Sequence, residues 1–404
     1  MRASSRSLVA VLLVVLLAAP SIFAASAVEL GAGISLSDED LGLNGVVIDG
    51  DGETALVFGT EGYVRALDAQ DPTQQIDLVW PGNEEILYAD FHPGDQTALL
   101  VGTDGLVLRY AKQDQSLERA AAAVNLEYAD MTTVAWNTGG SWAYVGTAEG
   151  QLLRLRADAD GGAEIHSLAG GGSSAIMAMD CHDTIMMCVV AAAMEGIGII
   201  ERDHTFTWVG GTGYPWTGIE CPTGDSAYCV AVADNQVIAL IELNPSDISR
   251  SIPSVSRLPD VDSYFVGIEA QHGDRTLIAT TPAGLIEHDI SLNSSYPWLE
   301  HDDINDLNLS SDRIVATWST GEDSGWIVSR RGYLTPFSGP DAGSTGLLYI
   351  WIAIAIPVAT GLVVLSLVLS SSKRMQDWTT EKIGSSDEKR HLANRKARQH
   401  RKRK

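Results

Sequence analysis

Carboxylates and an imidazole crowd together at Glu300, His301, Asp302, Asp303 and Asp306. Hard oxygen donors beside a ring nitrogen suit a divalent cation, and these five residues are the metal candidates. They equally describe an exposed connecting loop in a very acidic chain. A second run, Asp49-Gly50-Asp51-Gly52-Glu53, alternates acids as a calcium loop does, yet it lacks the distal glutamate at EF-hand spacing. Asp and Gly there also suit a hairpin turn. The chain holds no HExxH, no GxSxG and no phosphate-cradling glycine loop, and its nine histidines are scattered. No catalytic residue and no cofactor is therefore assigned.

The elements that must position any such chemistry are repeated. TALVFGTEG (54–62), TALLVGTDG (97–105) and WAYVGTAEG (142–150) are each followed by a second apolar run, and looser copies lie at 184–196, 227–236, 276–284 and 313–325. The closing turn residues are Gly62, Gly105, Gly150, Gly196, Gln236, Gly284 and Gly325, spaced 43, 45, 46, 40, 48 and 41 apart. A period in the forties with several strands per repeat predicts a β-propeller, here seven-bladed and all-β. The Asp-Gly and Glu-Gly steps are hairpin turns, and nearly continuous apolar runs predict strands buried on both faces. Val28–Leu36 either adds an outer strand to the last blade or leaves Tyr333–Phe337 to complete it alone.

FHPGDQTALLVGTDGLVLRY, residues 91–110, resembles the core phrase of the WD40-like and YVTN-type propeller repeats. The likeness spans about 41–337. The Trp-Asp dipeptide that closes many WD40 blades is replaced by Arg109-Tyr110 and Leu155-Arg156, and the Gly-His pair is absent. The resemblance implies the fold and a tendency to bind proteins. It does not carry over the family's buried Asp–His–Ser/Thr–Trp network.

All four cysteines fall in two short pairs, Cys181/Cys188 and Cys221/Cys229, each placed across a first-to-second-strand turn. Facing hairpin positions are close enough to bridge, which predicts Cys181–Cys188 and Cys221–Cys229. The competing pairing, Cys181–Cys221 with Cys188–Cys229, joins adjacent blades. Disulfides belong to exported proteins. Asn293-Ser294-Ser295 and Asn308-Leu309-Ser310 are glycosylation acceptor sequences, at Asn293 and Asn308.

The ends speak of a membrane. Arg2 and Arg6 precede an apolar run at 8–19, and Ala25-Ser26-Ala27 has the form of a cleavage site. Residues 1–27 read as a signal peptide, with an uncleaved anchor as the alternative. Residues 346–370 carry no charge, enough to cross roughly 30 Å of hydrocarbon as a helix. Lys373 and Arg374 then orient the C-terminus inward. The expected organisation is signal 1–27, propeller 28–337, linker 338–345, transmembrane helix 346–370 and basic cytoplasmic tail 371–404, a single-pass cell-membrane protein with its large domain outside.

Charge divides along the same line. Residues 28–345 hold 13 Lys+Arg, of which only Lys112 is lysine, against 48 Asp+Glu; residues 373–404 hold 12 bases and 4 acids. So acidic a domain repels nucleic acid. The tail's Arg395, Lys396, Arg398, Arg401, Lys402, Arg403 and Lys404 suit anionic lipid. The expected function is a membrane-tethered, extracytoplasmic platform holding partner proteins. The alternatives are an exported propeller enzyme, hydrolase or quinoprotein-type oxidoreductase, and a ligand sensor.

Overall fold

The second strand of each repeat dictates the architecture. Thr54–Gly59 and Cys188–Ala192 are buried at every residue, so each must be covered on both faces by other sheets. The computed structural model describes residues 28–120, 129–157, 163–222, 226–259, 261–304, 309, 312–339 and 373–402. The chain divides into two units, 1–339 and 340–404.

The first unit is a seven-bladed β-propeller of antiparallel sheets. Blade two shows the order: Ile86–Phe91, Thr97–Gly102, Val107–Ala111 and Ser116–Arg119, from the innermost strand outward. The other inner strands are Leu43–Ile48, Met131–Trp136, Ile176–Cys181, Trp216–Glu220, Tyr264–Ala270 and Ile314–Gly321. Each packs on the next, and the last packs on the first, which closes the ring. The core is accordingly divided into seven apolar clusters, one in each seam between neighbouring blades.

The turn chemistry behind the repeat is visible at Gly62. Its φ is +70°, and a Cβ there would lie 2.8 Å from the Gly82 carbonyl oxygen, so only glycine fits. Gln236 takes the same place with φ +64°; its amide donates to the Ser263 carbonyl and accepts from Arg257, at 3.0 and 2.7 Å. Those bonds hold a side chain where glycine is the default.

Blade seven corrects one reading. Arg313–Gly325 is not a second-strand phrase: Ile314–Gly321 is the inner strand, Ser324–Ser329 the second, and the closing turn falls at Gly332, with φ +93°. The inner strand is itself apolar here, so composition alone shifted the register. The outer strand comes from the N-terminal segment: Glu29 and Leu30 pair with Ser338 and Phe337, and Ile34 and Ser35 with Leu334 and Tyr333. Val28 and Leu36 bury themselves in the seams on either side of blade seven. This decides between the two closures in favour of 28–36.

Both disulfides are the hairpin-facing pair, Cys181–Cys188 and Cys221–Cys229, with Cα atoms 3.9 and 4.2 Å apart. Cys181 and Cys188 stand directly opposite in the ladder.

In the second unit, helices Lys373–Ile383 and Ser386–Lys402 are joined by Lys396 Nζ and Glu381, 3.0 Å apart. Ser385 and Glu388 exchange hydrogen bonds at the start of the second helix, a capping box. No helix among the described residues is long and apolar enough to cross a membrane. The expected signal segment, 1–27, and the expected span, 346–370, lie outside them.

Each disulfide closes a loop of only seven or eight residues, so a Cys188→Ala or Cys229→Ala change is expected to cost roughly 2–3 kcal/mol by loop-closure entropy. Chemical denaturation of the variants under oxidising conditions measures this. An unchanged midpoint would show the bridges to be neutral.

Candidate functional site

The inner strands place chemistry at fixed positions. Aligned by pairing, they start at Leu43, Ile86, Met131, Ile176, Trp216, Phe265 and Ile314, and each has an irregularity immediately after that residue. Such a bulge frees the next residue from the ladder. The freed Asn44, Thr132 and Thr217 donate to the starting carbonyl of the following blade, Ile86, Ile176 and Phe265.

The fifth position carries the acids. Asp90, Asp180, Glu220 and Glu269 occupy it in blades two, four, five and six. Asp90 accepts from the Trp136 amide at 2.7 Å, and Asp180 from the Cys221 amide at 2.6 Å and that of Cys181 at 2.7 Å. Glu220 accepts from the Ala270 amide. Trp136, Cys221 and Ala270 each take the sixth position counted along the next blade's inner strand, so one clasp recurs from blade to blade.

These side chains line the central channel, half-buried, walled by protein yet touched by solvent. Burial pushes the Asp90 carboxyl up to about 8, against the pull of the Trp136 amide, and Asp180 adds to the rise. Burial raises Asp180 to about 7, with Asp183 adding repulsion and the two amides opposing. Burial and then Asp180 raise Glu269 to about 8. Glu220 is raised well above the carboxylate range by burial, then by Asp180 and Glu269. Burial and the same four acids push the Tyr88 phenol well up. The arrangement is thus a ring of carboxyls that repel one another when ionised and keep protons near neutral pH. Acids with this perturbation are able to donate protons.

The far end of the strands has its own fasteners. His92 and His182 face the carbonyls of Gly140 and Ser226 in the next blade, at 2.9 and 2.8 Å. Lys112 lies 2.6 Å from Asp49 and 3.1 Å from Glu53, bridging blades two and one. Burial would raise Asp49, but the Lys112 ammonium and the Thr54 and Glu53 amides outweigh it and lower its pKa. The acidic run at 49–53 is therefore a turn clamped by the lone lysine of residues 28–345, not a set of groups gathered for a cation.

Among the described residues, no group of three or more His, Cys, Asp or Glu is placed to hold a metal ion. His301 and Asp303 lie on a single 3-10 turn, His301–Ile304, and the His301 ring faces the Ala283 carbonyl at 3.2 Å. Asp306 lies outside the described residues, as does the side chain of Asp302. Asn293 is exposed in a left-handed turn, φ 47°; Asn308 lies outside the described residues. Arg395, Lys396, Arg398, Arg401 and Lys402 share the helix Ser386–Lys402, and Arg403 and Lys404 lie beyond the described residues. The channel acids escaped the sequence reading because each is one ordinary acid in a separate strand. Their shared fifth position, once the repeats are aligned, is the signal that could have found them.

No family model matches the chain, and no curated protein does. Among 1612 matching chains of solved structures is the Cps50 (Swd1) β-propeller domain of Myceliophteria thermophila. It covers 77% of this chain and 99% of its own, with a TM-score of 0.58 and 10% identity. At that identity the likeness carries the fold alone.

Two outcomes follow from the electrostatics. The channel carboxyls have folded pKa values above their unfolded values near 4. Between about pH 4 and 8 the native state therefore binds more protons, and its stability falls as pH rises. Unfolding free energy should be higher at pH 5.5 than at pH 8.5 by more than ~1.4 kcal/mol, the worth of one pKa unit. The change should flatten in Asp180→Asn/Glu269→Gln, and an equal slope in that variant would exclude these acids as its source. Lys112→Met leaves the Asp49 carboxylate buried without its cation and should cost roughly 3 kcal/mol, read as a lower denaturation midpoint. Asp49→Asn in that background should recover part of it.

Proposed function

We propose that this protein is a membrane-anchored, extracytoplasmic β-propeller that serves as a binding and assembly platform for partner proteins. The observation that carries this reading is the closed ring itself, whose strand-borne polar groups tie blade to blade. Asp90, Asp180, Glu220, Asn44, Thr132, Thr217, His92, His182 and Lys112 all join neighbouring blades. Such a ring presents preorganised turns at two mouths, and a rigid surface lowers the ordering cost of binding.

Export is supported by the two disulfides and the signal-like start. Anchoring is supported by the uncharged stretch 346–370 followed by bases. The helix Ser386–Lys402, acidic at Asp387 and Glu388 and basic in its last turn, suits an anionic inner leaflet at its basic end.

A second reading has its own support: half-buried acids with raised pKa values occur in enzyme clefts, so the channel favours proton-donor chemistry such as hydrolysis.

Cross-linking the full chain in its native membrane, beside a chain lacking 28–338, separates the two. A reproducible protein adduct that disappears with the propeller is expected. Substrate turnover by the purified protein that is abolished in Asp180→Asn, with no such adduct, would overturn the platform reading in favour of the enzyme.

A further inference from the structure

The two mouths of the ring are not alike. One, the entry mouth, is where the inner strands begin and where the second-to-third-strand turns lie. Over blades four to six it exposes apolar side chains: Met177 at 38%, Met194 at 60% and Tyr264 at 60%. Met177 is the second residue of an inner strand, Met194 sits in the turn of blade four, and Tyr264 opens the inner strand of blade six.

Backbone bonds make this stretch continuous. The Gly213 amide donates to the Met194 carbonyl at 3.1 Å, Asp234 to Pro215 at 3.1 Å, and Phe265 to Asp234 at 3.2 Å. The patch is therefore built on fixed turns. Exposed methionine and tyrosine on rigid backbone are the side chains enriched at protein interfaces, and nothing in the strands beneath needs them outside.

The rim supplies the sign of the partner. Glu149, in the turn of blade three, and Asp262, in the loop before Tyr264, are exposed. Glu195 is held ionised, its pKa brought down to about 2 by the Ser174 hydroxyl and the Ser173 amide and hydroxyl. Such a rim repels anionic headgroups and attracts a cation-bearing surface.

Resting on the platform reading, we infer that the entry mouth over blades four to six docks a protein segment whose apolar anchor is ringed by lysine or arginine. Met177, Met194 and Tyr264 receive the anchor, and Glu149, Glu195 and Asp262 face the bases. Basic groups steer the encounter, and the apolar contacts hold it.

A photoreactive residue placed in the full chain at Met194 or Tyr264, in native membranes, tests this against one at Leu292. Leu292 is 73% exposed, but it sits in a third-to-fourth-strand turn at the opposite mouth. Adducts are expected at 194 and 264 and not at 292. Their yield should fall roughly tenfold in Glu149→Lys/Asp262→Lys and at high salt, with the variant's circular dichroism unchanged. Adducts only at 292, or adducts indifferent to charge reversal and salt, would overturn this inference and leave the platform reading standing. No adduct at any position would overturn both.

Discussion

A four-stranded sheet with two apolar faces cannot stand in water, and every other feature of this propeller follows from that constraint. Each blade needs a neighbour on both sides, so the row of blades is satisfied only when it closes. The closure is made by Glu29–Leu30 and Ile34–Ser35 on the last blade, with Val28 and Leu36 filling the two seams it borders. Trp318 reinforces the final seam by donating to the Ala69 carbonyl of blade one at 2.9 Å. The first residues of the domain thus finish what the last ones begin. The ends of the domain meet at one blade edge.

Apolar seams give adhesion without register, because apolar contact is not directional. Register comes from polar side chains at repeated positions of the inner strands. The freed second residue reaches forward to a carbonyl, the fifth to an amide, and a histidine after the strand to the next turn. They also bring acids together in the channel, where the clasps that align the blades create mutual repulsion. Protonation relieves it. A domain with so large an excess of acid therefore has a channel that is less charged at neutral pH than its composition suggests.

Acidity elsewhere has a different character. Glu195 is held ionised by serine donors, and Glu149 and Asp262 stand in solvent. The same residue types thus serve as neutral clasps inside the ring and as charges on its rim: burial and mutual repulsion raise the first, while serine donors and solvent keep the second ionised.

How much of this was legible in the chain depends on range. The period of the turn glycines, the Asp-Gly and Glu-Gly hairpins and the doubly buried strands were readable because they follow from local sterics and apolar patterning within one repeat. The hairpin disulfides were readable too, since Cys181 and Cys188 need only one turn to meet. The register of blade seven was not, because an apolar inner strand and an apolar second strand look alike until their partners are known. Nor was the clasp system: Asp90 and Trp136, or Asp180 and Cys221, lie more than forty residues apart, and their meeting exists only once the ring has formed. The sequence by itself determined the kind of strand, the number of blades and the acid balance. The tertiary structure alone decided which acids face each other in the channel, which strand seals the ring and which apolar side chains are left outside, since these depend on contacts between blades that no single repeat contains.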